Sequence, residues 1–181
     1  MPEIFVRGKK QKIPDGPTDL LIPEYNIVIT DTKIGEGTVF WSNINIYGCE
    51  IGKECKIGAF VEIRKGVRIG NRVKIEPFVV IPEGVTIEDE VFIGPGVIFT
   101  NDRYPYSVHP DGSLITDYEI TPTLVKRRAS IGSGSTILCG VTIGDGTMIG
   151  IGSVVVEDVK PGAVVYGEKA RFRRFLKRDD S

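Results

Sequence analysis

A six-residue rhythm dominates the sequence. From residue 51 to residue 99 an aliphatic or aromatic side chain recurs at every sixth position without a slip. These anchor residues are Ile51, Ile57, Ile63, Ile69, Ile75, Ile81, Ile87, Ile93 and Phe99. A second small apolar residue, from Cys55 to Val97, follows each of the first eight anchors by four places. Neither a 3.6-residue helix nor an open alternating strand keeps a period of this length.

The same count extends in both directions. It resumes downstream at Val125, Ile131, Ile137, Ile143, Ile149 and Val155. Upstream it extends through Ile22, Val28, Ile34, Phe40 and Ile46, with one residue missing before Ile51. β-Branched anchors favour short strands, and glycine often follows an anchor, where a tight corner favours a residue without Cβ. Strand and corner, repeated three times per coil, predict an all-β triangular prism, a β-helix with the anchors stacked inside.

We predict one β-helix domain over residues 22–160, with about six to seven coils. Residues 1–21, which contain three prolines, are expected to form an arm or cap for the open end of the stack. Residues 161–181 are expected to hold a short helix with an apolar stripe of Phe172, Phe175 and Leu176. The rhythm stops at 103–124, a segment that we call the excursion because it is expected to leave the prism. Insertions in repeat proteins map to loops, often on the binding face.

Composition narrows the class of protein. The 181 residues are 41% hydrophobic and 26% charged with a net charge of −1, so nothing favours a nucleic-acid partner. No apolar stretch approaches the roughly 18 residues of a membrane span, and the N-terminus lacks the apolar core of a signal peptide. Cys49, Cys55 and Cys139 form no CxxC pair, so we expect buried, reduced thiols and a cytoplasmic protein.

The repeat resembles that of the hexapeptide-repeat acyltransferases, whose fold is a left-handed parallel β-helix, over residues 22–171. A narrower likeness lies in IEDEVFIGPGVIFTNDRYP at 87–105 and TLVKRRASIGSGSTILCGVTIGDGTMIGIGSVVVEDV at 123–159. These stretches are similar to the N-acetyltransferases that act on nucleotide-linked 3-amino sugars. The resemblance implies a homotrimer that binds acetyl-CoA between neighbouring prisms and acetylates the amino group of a nucleotide-linked sugar.

Amide formation from a thioester requires a neutral amine, donors for the developing oxyanion and an acceptor for the amine's proton. Asn101 and Asp102 match the FTN segment of the family and are candidates to position or deprotonate the amine. Glu76 is a further candidate for the same role. Arg103 and Tyr104 follow in the excursion and are predicted to contact the acceptor.

Two departures from the family pattern leave the identity of the acceptor open. IEP at 75–77 stands where the family usually carries IQN, so an asparagine thought to contact the sugar is missing. FWSN at 40–43 stands where relatives often read WHF. Trp41 matches the tryptophan of the family segment and is predicted to contact the acceptor. Ser42 stands in place of the histidine.

His109, the chain's one histidine, separates the possible functions. An O-acetyltransferase acting on a sugar or small alcohol would use it as the base, because a hydroxyl must be deprotonated. An amine acceptor would not need it. A non-catalytic β-helix that acts as a scaffold or assembly partner is a third possibility and would have no affinity for CoA. No metal is expected, since one histidine cannot supply the three ligands of the zinc carbonic anhydrases of this fold.

The donor prediction rests on glycines and cations. A pantetheine arm could follow exposed main chain at Gly132, Gly134, Gly150 and Gly152. Phosphates favour cations, and one basic cluster consists of Lys126, Arg127 and Arg128. A second consists of Lys169, Arg171, Arg173 and Arg174. Arg171 ends a GEKAR segment that stands where relatives have GVPAK, and so takes the place of their lysine.

Overall fold

The computed structural model describes residues 1–167. The predicted C-terminal helix, Arg171 and the second basic cluster lie outside the described residues. Within them, short strands and one 3-10 turn, Pro23–Tyr25, form the β-helix that the six-residue rhythm predicts. It is parallel and left-handed, as the resemblance to the hexapeptide-repeat acyltransferases implies. Three flat faces, numbered 1 to 3 in the order in which the chain visits them, enclose the core.

Each face is a ladder of parallel strands. Face 1 has eight rungs: Glu3–Val6, Val39–Phe40, Lys56–Ile57, Lys74–Ile75, Phe92–Ile93, Ser130–Ile131, Met148–Ile149 and Val164–Val165. The long strand Ile27–Ile34 supplies the first rung of both other faces. Face 2 continues with Ile44–Tyr47, Glu62–Ile63, Val80–Ile81, Ile98–Phe99, Thr136–Ile137 and Val154–Val155. Face 3 continues with Glu50–Ile51, Arg68–Ile69, Val85–Ile87, Thr123–Val125 and Thr142–Ile143.

The anchors form the core as predicted from residue 34 onwards. All of them from Ile34 to Val155 are buried, as are the second apolar residues from Cys55 to Val97. The six-residue count fails before residue 34. In the strand Ile27–Ile34, buried and exposed side chains alternate from the first residue. Ile27 and Ile29 therefore point inwards, and Val28, an expected anchor, is exposed.

The N-terminal residues close one end of the prism. Ile4 and Val6 are buried, so Glu3–Val6 adds a rung to face 1 ahead of Val39–Phe40. Lys9–Lys12 pairs antiparallel with that rung, and Pro17–Ile22 pairs antiparallel with Ile27–Ile34. All three sheet edges at this end are thus covered by antiparallel strands, which protects them from edge-to-edge association. With this rung and Val164–Val165, the stack is about one turn longer than predicted.

Glycine after an anchor is required by the spacing between coils. A Cβ placed on Gly52 would lie 2.5 Å from the carbonyl oxygen of Gly70 in the next coil. Real side chains do not approach backbone that closely, so this corner position is restricted to glycine unless the neighbouring coil shifts. The residues in this position form a column along each corner.

Three cysteines are buried and unpaired in the stack, as the sequence predicts. Burial raises the pKa of the Cys49 thiol to about 11 and also raises the pKa of Cys55. Such thiols are protonated and unreactive at neutral pH. Separately, no helix among residues 1–167 is long and apolar enough to cross a membrane.

Between faces 3 and 1, a ladder of charged residues follows the outer edge of the corner. Glu54, Arg72, Glu90 and Arg128 all have left-handed backbone, with φ between 53° and 62°. The Glu90 carboxylate accepts hydrogen bonds from Arg128 Nε and Arg72 Nη2, each at 2.7 Å. These bonds, that from Arg128 first, lower the pKa of Glu90 to about 2.

We expect Glu90→Gln to reduce stability at neutral pH by an amount that disappears in acid. A carboxylate with a depressed pKa in the folded state stabilises the fold above its unfolded pKa, and this contribution is lost as the pH falls towards the folded pKa. The free-energy difference between wild type and variant should therefore shrink as the pH falls from the ordinary value of 4.5 to about 2. Urea unfolding at several pH values measures it. Glu54→Gln, which removes no ion pair within residues 1–167, is the control; a gap independent of pH would contradict the assignment.

Candidate functional site

The corner between faces 1 and 2 carries the first candidate site. The residues that directly follow the face 1 anchors form its column: Arg7, Trp41, Gly58, Glu76, Gly94, Gly132, Gly150 and Tyr166. Main-chain hydrogen bonds run up this column; the N–H of Trp41 donates to Ile57 O at 3.0 Å and that of Glu76 to Ile93 O at 2.9 Å. Trp41 and Glu76 therefore lie one coil to either side of Gly58.

A groove opens where these two large side chains flank the glycine. It has a volume of about 470 Å³, and we call it the acceptor groove. Its lining includes Trp41, Glu76, Lys56, Lys74 and the main chain at Gly58. A Cβ on Gly58 would lie 2.6 Å from the backbone nitrogen of Pro77, so the floor of the groove must be a glycine. The structure thus brings together two predicted site residues, Trp41 and Glu76.

Charge and aromatic surface meet in this groove. The Glu76 carboxylate pairs with Lys74 Nζ at 2.5 Å and is only 25% exposed, while Lys56 lines the same groove. The guanidinium of Arg7 lies 5.1 Å from the centre of the Trp41 ring, and this cation–π contact helps to orient the indole. A partly buried carboxylate beside an indole is suited to bind an amino group on a ring with an apolar face.

The excursion leaves the prism at a different corner, between faces 2 and 3. It begins after Ile98–Phe99 and ends at Thr123–Val125, and the N–H of Thr121 donates to the carbonyl of Asn101 at 3.0 Å across its neck. The Asn101 amide donates to the Tyr118 hydroxyl at 3.1 Å. The Asp102 carboxylate accepts the N–H of Tyr104 at 2.8 Å, so it is used in a local turn.

His109 lies in a small hairpin at the tip of the excursion. Val108 and Leu114 form its antiparallel bridge, and the His109 N–H donates to the carbonyl of Ser113 at 2.8 Å. Arg103, Tyr104 and His109 are all exposed. None of the predicted excursion residues lines the acceptor groove of the same chain, so the structure separates them from Trp41 and Glu76.

The second candidate site is a basic groove at the corner between faces 3 and 1. Lys126 and Lys160 flank Gly144 there, and the groove has a volume of about 260 Å³. Asp158 also lines it, and its carboxylate accepts the N–H of Thr142 at 2.6 Å. Of the cations predicted to act with Lys126, Arg127 pairs with Asp145 at 3.7 Å and Arg128 pairs with Glu90. Lys126 makes no salt bridge within the described part of the chain.

Sequence reasoning missed Lys160. Val159 is a buried anchor only four residues after Val155, so this coil is shorter than the others. A strict count of six from Val155 places the next anchor at Pro161. It therefore does not place Lys160, which directly follows the true anchor Val159, at the corner. The buried valine four places after Val155 is the signal that could have found it.

Comparison with known proteins agrees with this fold. The model described as "Bacterial transferase hexapeptide (six repeats)" matches residues 31–65 and 66–101. The model described as "Hexapeptide repeat of succinyl-transferase" matches residues 127–157. The chain belongs to the hexapeptide-repeat acyltransferase family. The two models together cover both sides of the excursion and leave the excursion itself unmatched.

Individual members of the family are similar to parts of this chain. The dTDP-3-amino-3,6-dideoxy-alpha-D-galactopyranose 3-N-acetyltransferase of Aneurinibacillus thermoaerophilus is 44% identical over 54 residues, which are 30% of this chain and 28% of that enzyme. The 2,3,4,5-tetrahydropyridine-2,6-dicarboxylate N-acetyltransferase of Clostridium perfringens is 47% identical over 51 residues, which are 28% of this chain and 22% of that enzyme. The chain thus matches only about a quarter of the length of these curated relatives.

A solved structure covers more of the chain. A hexapeptide-repeat acetyltransferase of Vibrio cholerae, in complex with acetyl coenzyme A, is 28% identical with a TM-score of 0.50. The match covers 78% of this chain and 72% of that one. An N-acyltransferase of Bacillus cereus shares the fold alone, with 19% identity and a TM-score of 0.54 over 77% of this chain and 81% of that one.

The four glycines predicted to bind the donor fall into two kinds in this hexapeptide-repeat chain. Gly132 and Gly150 belong to the corner column, and a Cβ on Gly132 would lie 2.6 Å from the nitrogen of Ile151. Gly134 and Gly152 have positive φ, and a Cβ on either would meet nothing within 4 Å. Stacking therefore explains the first pair without a ligand, whereas the second pair lies against open solvent.

Proposed function

We propose that this acyltransferase transfers the acetyl group of acetyl-CoA to an amino group of a nucleotide-linked amino sugar. The acceptor groove carries the proposal, because a carboxylate and an indole line the same slot from opposite sides of Gly58. Carboxylates bind ammonium groups, and aromatic rings pack on the apolar face of a sugar. The similarity to a sugar 3-N-acetyltransferase supports the choice of acceptor.

In this proposal Glu76 holds the acceptor's amino group, which first gives up one proton to solvent and so becomes a neutral amine. Glu76 then takes up the second proton, which is released as the C–N bond forms. The nitrogen attacks the thioester carbonyl, the tetrahedral intermediate collapses, and the CoA thiolate leaves. The main-chain N–H groups of Gly58 and Glu76 already donate within the ladder. The ammonium groups of Lys56 and Lys74, which line the groove, are proposed to stabilise the oxyanion.

The basic groove is the proposed site for the phosphates of acetyl-CoA. It borders face 1 on the edge opposite the acceptor groove. On face 1, the rung Ser130–Ile131 follows Lys126 in the chain, and the rung Lys74–Ile75 precedes Glu76. These rungs are two steps apart, which is about 10 Å along the prism. An extended donor could thus hold its phosphates at Lys126 and Lys160 with its thioester near Glu76. The acetyl-CoA complex of the Vibrio cholerae relative supports this donor.

We expect Lys126→Glu or Lys160→Glu to raise the KM for acetyl-CoA roughly ten- to a hundredfold with little change in kcat. A charge-assisted contact contributes about 1.5–3 kcal/mol, and a phosphate contact binds ground and transition states alike. Initial-rate kinetics at varied acetyl-CoA measure the effect. Lys65→Glu, a charge reversal of an exposed lysine at another corner, is the matched control. An unchanged KM in both variants would leave the basic groove without a role in donor binding.

The acceptor class is tested with paired substrates. UDP- and dTDP-linked amino sugars are compared with their hydroxyl counterparts, with release of free CoA as the readout. Turnover of the amine only supports the proposal. Turnover of the hydroxyl, abolished by His109→Ala, would favour the O-acetyltransferase instead; no CoA release and no affinity for CoA would favour the scaffold. The exposed position of His109, at another corner from the groove, favours the amine.

We propose further that the protein is a homotrimer. Large apolar side chains cluster around the corner between faces 1 and 2 in the later coils and are exposed: Ile98, Met148, Ile151, Val154, Val164 and Tyr166. Contiguous apolar surface of this kind marks an interface. Association would also let the excursion of one copy approach the acceptor groove of another, which would give Asn101, Asp102, Arg103 and Tyr104 a role. The buried, unpaired cysteines support a reducing, cytoplasmic setting.

Light scattering is expected to give three times the mass of one chain. Ile151→Glu should yield a smaller species, because a buried, unpaired carboxylate at an interface is costly. Leu21→Glu changes an equally exposed apolar residue at the other end of the prism and should leave the mass unchanged. A monomeric wild-type protein would contradict the trimer.

A further inference from the structure

A second ladder runs along the corner between faces 1 and 2, two residues beyond the column that holds Trp41 and Glu76. Its members share left-handed backbone, with φ between 51° and 68°: Asn26, Asn43, Phe60, Phe78, Gly96, Gly134 and Gly152. Glycine and asparagine adopt this conformation readily, whereas it is strained for phenylalanine. Because glycine occupies three positions of the same ladder, the fold does not require phenylalanine at the other two.

The two phenylalanines form an exposed stack. Their ring centres are 4.9 Å apart and their planes differ by 6°. Phe60 is 52% exposed and Phe78 is 60% exposed, so neither belongs to the core. Strained, solvent-exposed aromatic residues of this kind are costly to keep and point to a role outside folding.

Phe60 borders a groove on face 2, across the corner from the acceptor groove. The groove has a volume of about 310 Å³, and its lining includes Asn26, Asn43, Asn45, Glu62 and Phe60 together with Val28, Ile44 and Val61. We call it the amide groove. Ala59 lines the acceptor groove and the next residue, Phe60, lines this one, so the two grooves share a wall.

Several polar side-chain groups of the amide groove are free to bind a ligand. The Asn26 amide donates to Asn43 Oδ1 at 3.2 Å, and Glu62 Oε1 accepts from Arg64 Nε at 2.7 Å. The second carboxylate oxygen of Glu62 and the side-chain oxygen Oδ1 of Asn26 have no partner within residues 1–167. The Asn45 side chain likewise makes no hydrogen bond within those residues, so both donors and acceptors are available.

We propose that the amide groove binds a neutral sugar ring. A pyranose presents hydroxyl groups that both donate and accept along its edge, and an apolar C–H surface on its face. The amides and the free oxygen of Glu62 match the hydroxyl edge, while the exposed ring of Phe60 matches the C–H face. No cation lines the groove, which disfavours a phosphate there, within the residues that the structure describes. The proposal concerns binding alone and does not depend on the acetyl transfer proposed above.

The test measures sugar binding in the absence of any acyl donor. Saturation-transfer NMR and calorimetry are run on the full chain with glucose, galactose, N-acetylglucosamine, maltose and lactose, and with glycerol as a polyol without a ring. At least one sugar should bind and glycerol should not. Phe60→Gly and Asn45→Ala should each weaken that binding about tenfold, the loss expected for one good contact.

Phe78→Gly is the matched control. Phe78 has the same backbone conformation and similar exposure but does not line the amide groove, so its removal should change sugar affinity less than about twofold. Glycine relieves the strain in both variants, so each should fold. Binding that is lost in Trp41→Ala but kept in Phe60→Gly would overturn the proposal in favour of the acceptor groove. A change in assembly state without a change in sugar binding, or no binding by any sugar, would also overturn it.

Discussion

Glu76→Gln should lower kcat for acetyl transfer by about 10²- to 10⁴-fold, the range typical of a lost general base. Glutamine keeps the shape of the side chain and removes both the charge and the proton acceptor. The acceptor should still bind through Trp41 and its nucleotide, so the loss should fall mainly on kcat. Steady-state kinetics with acetyl-CoA and the best amino-sugar acceptor measure it. A rate that recovers as the pH rises would support the same role, because hydroxide can then deprotonate the amine.

The controls separate Glu76 from the other candidates. Glu50→Gln removes a glutamate that is also paired with a lysine, Lys33 at 3.0 Å, but lies outside the groove. It should leave kcat unchanged. His109→Ala should cost little if the acceptor is an amine. A collapse of activity in His109→Ala, with fold and CoA affinity intact, would contradict the role of Glu76 and move the base to the imidazole.

The fold was predictable because each face of the prism takes six residues, so a buried anchor recurs at every sixth position of the sequence. A six-residue unit with β-branched anchors leaves almost no other structure, and the core from Ile34 to Val155 follows it. The prediction fails where strand length changes. Ile27–Ile34 is long enough to alternate, which exposes Val28, and the coil after Val155 is short, which hides Lys160. The pattern of hydrophobic residues alone does not show where a strand is longer or a coil is shorter than the repeat.

The candidate site was predictable only in part. Trp41 and Glu76 were identified from the resemblance to the family, and their common groove follows only from stacking one coil on the next. A column count from Trp41 through Gly58 to Glu76 could have placed them together. The excursion has no period, so nothing in its sequence says which corner Asp102 or His109 would approach. Phosphate contacts were expected from all three cations at 126–128, but Arg127 and Arg128 are neutralised by acids from other coils.

Substitution of the glycines predicted to bind acetyl-CoA should change the stability of the protein by very different amounts. Gly132→Ala should destabilise the protein by about 3 kcal/mol, because its Cβ would lie 2.6 Å from the backbone of the next coil. Gly134→Asn should cost less than about 1 kcal/mol, since asparagine tolerates left-handed backbone and Asn43 already occupies the same ladder. Urea unfolding of the two variants beside wild type measures both changes. Equal losses would contradict the distinction between stacking glycines and open ones.

Gly134→Asn, together with Gly152→Asn, also tests whether the donor follows this corner. Gly134→Asn adds a side chain where a Cβ meets nothing within 4 Å, so it alters the open surface while the prism stays intact. If the pantetheine arm passes there, the KM for acetyl-CoA should rise several-fold at constant kcat. Gly152→Asn, one coil further along the same ladder, should act in the same direction. An unchanged KM in both variants would mean that the donor crosses face 1 elsewhere, and that these glycines serve the corner alone.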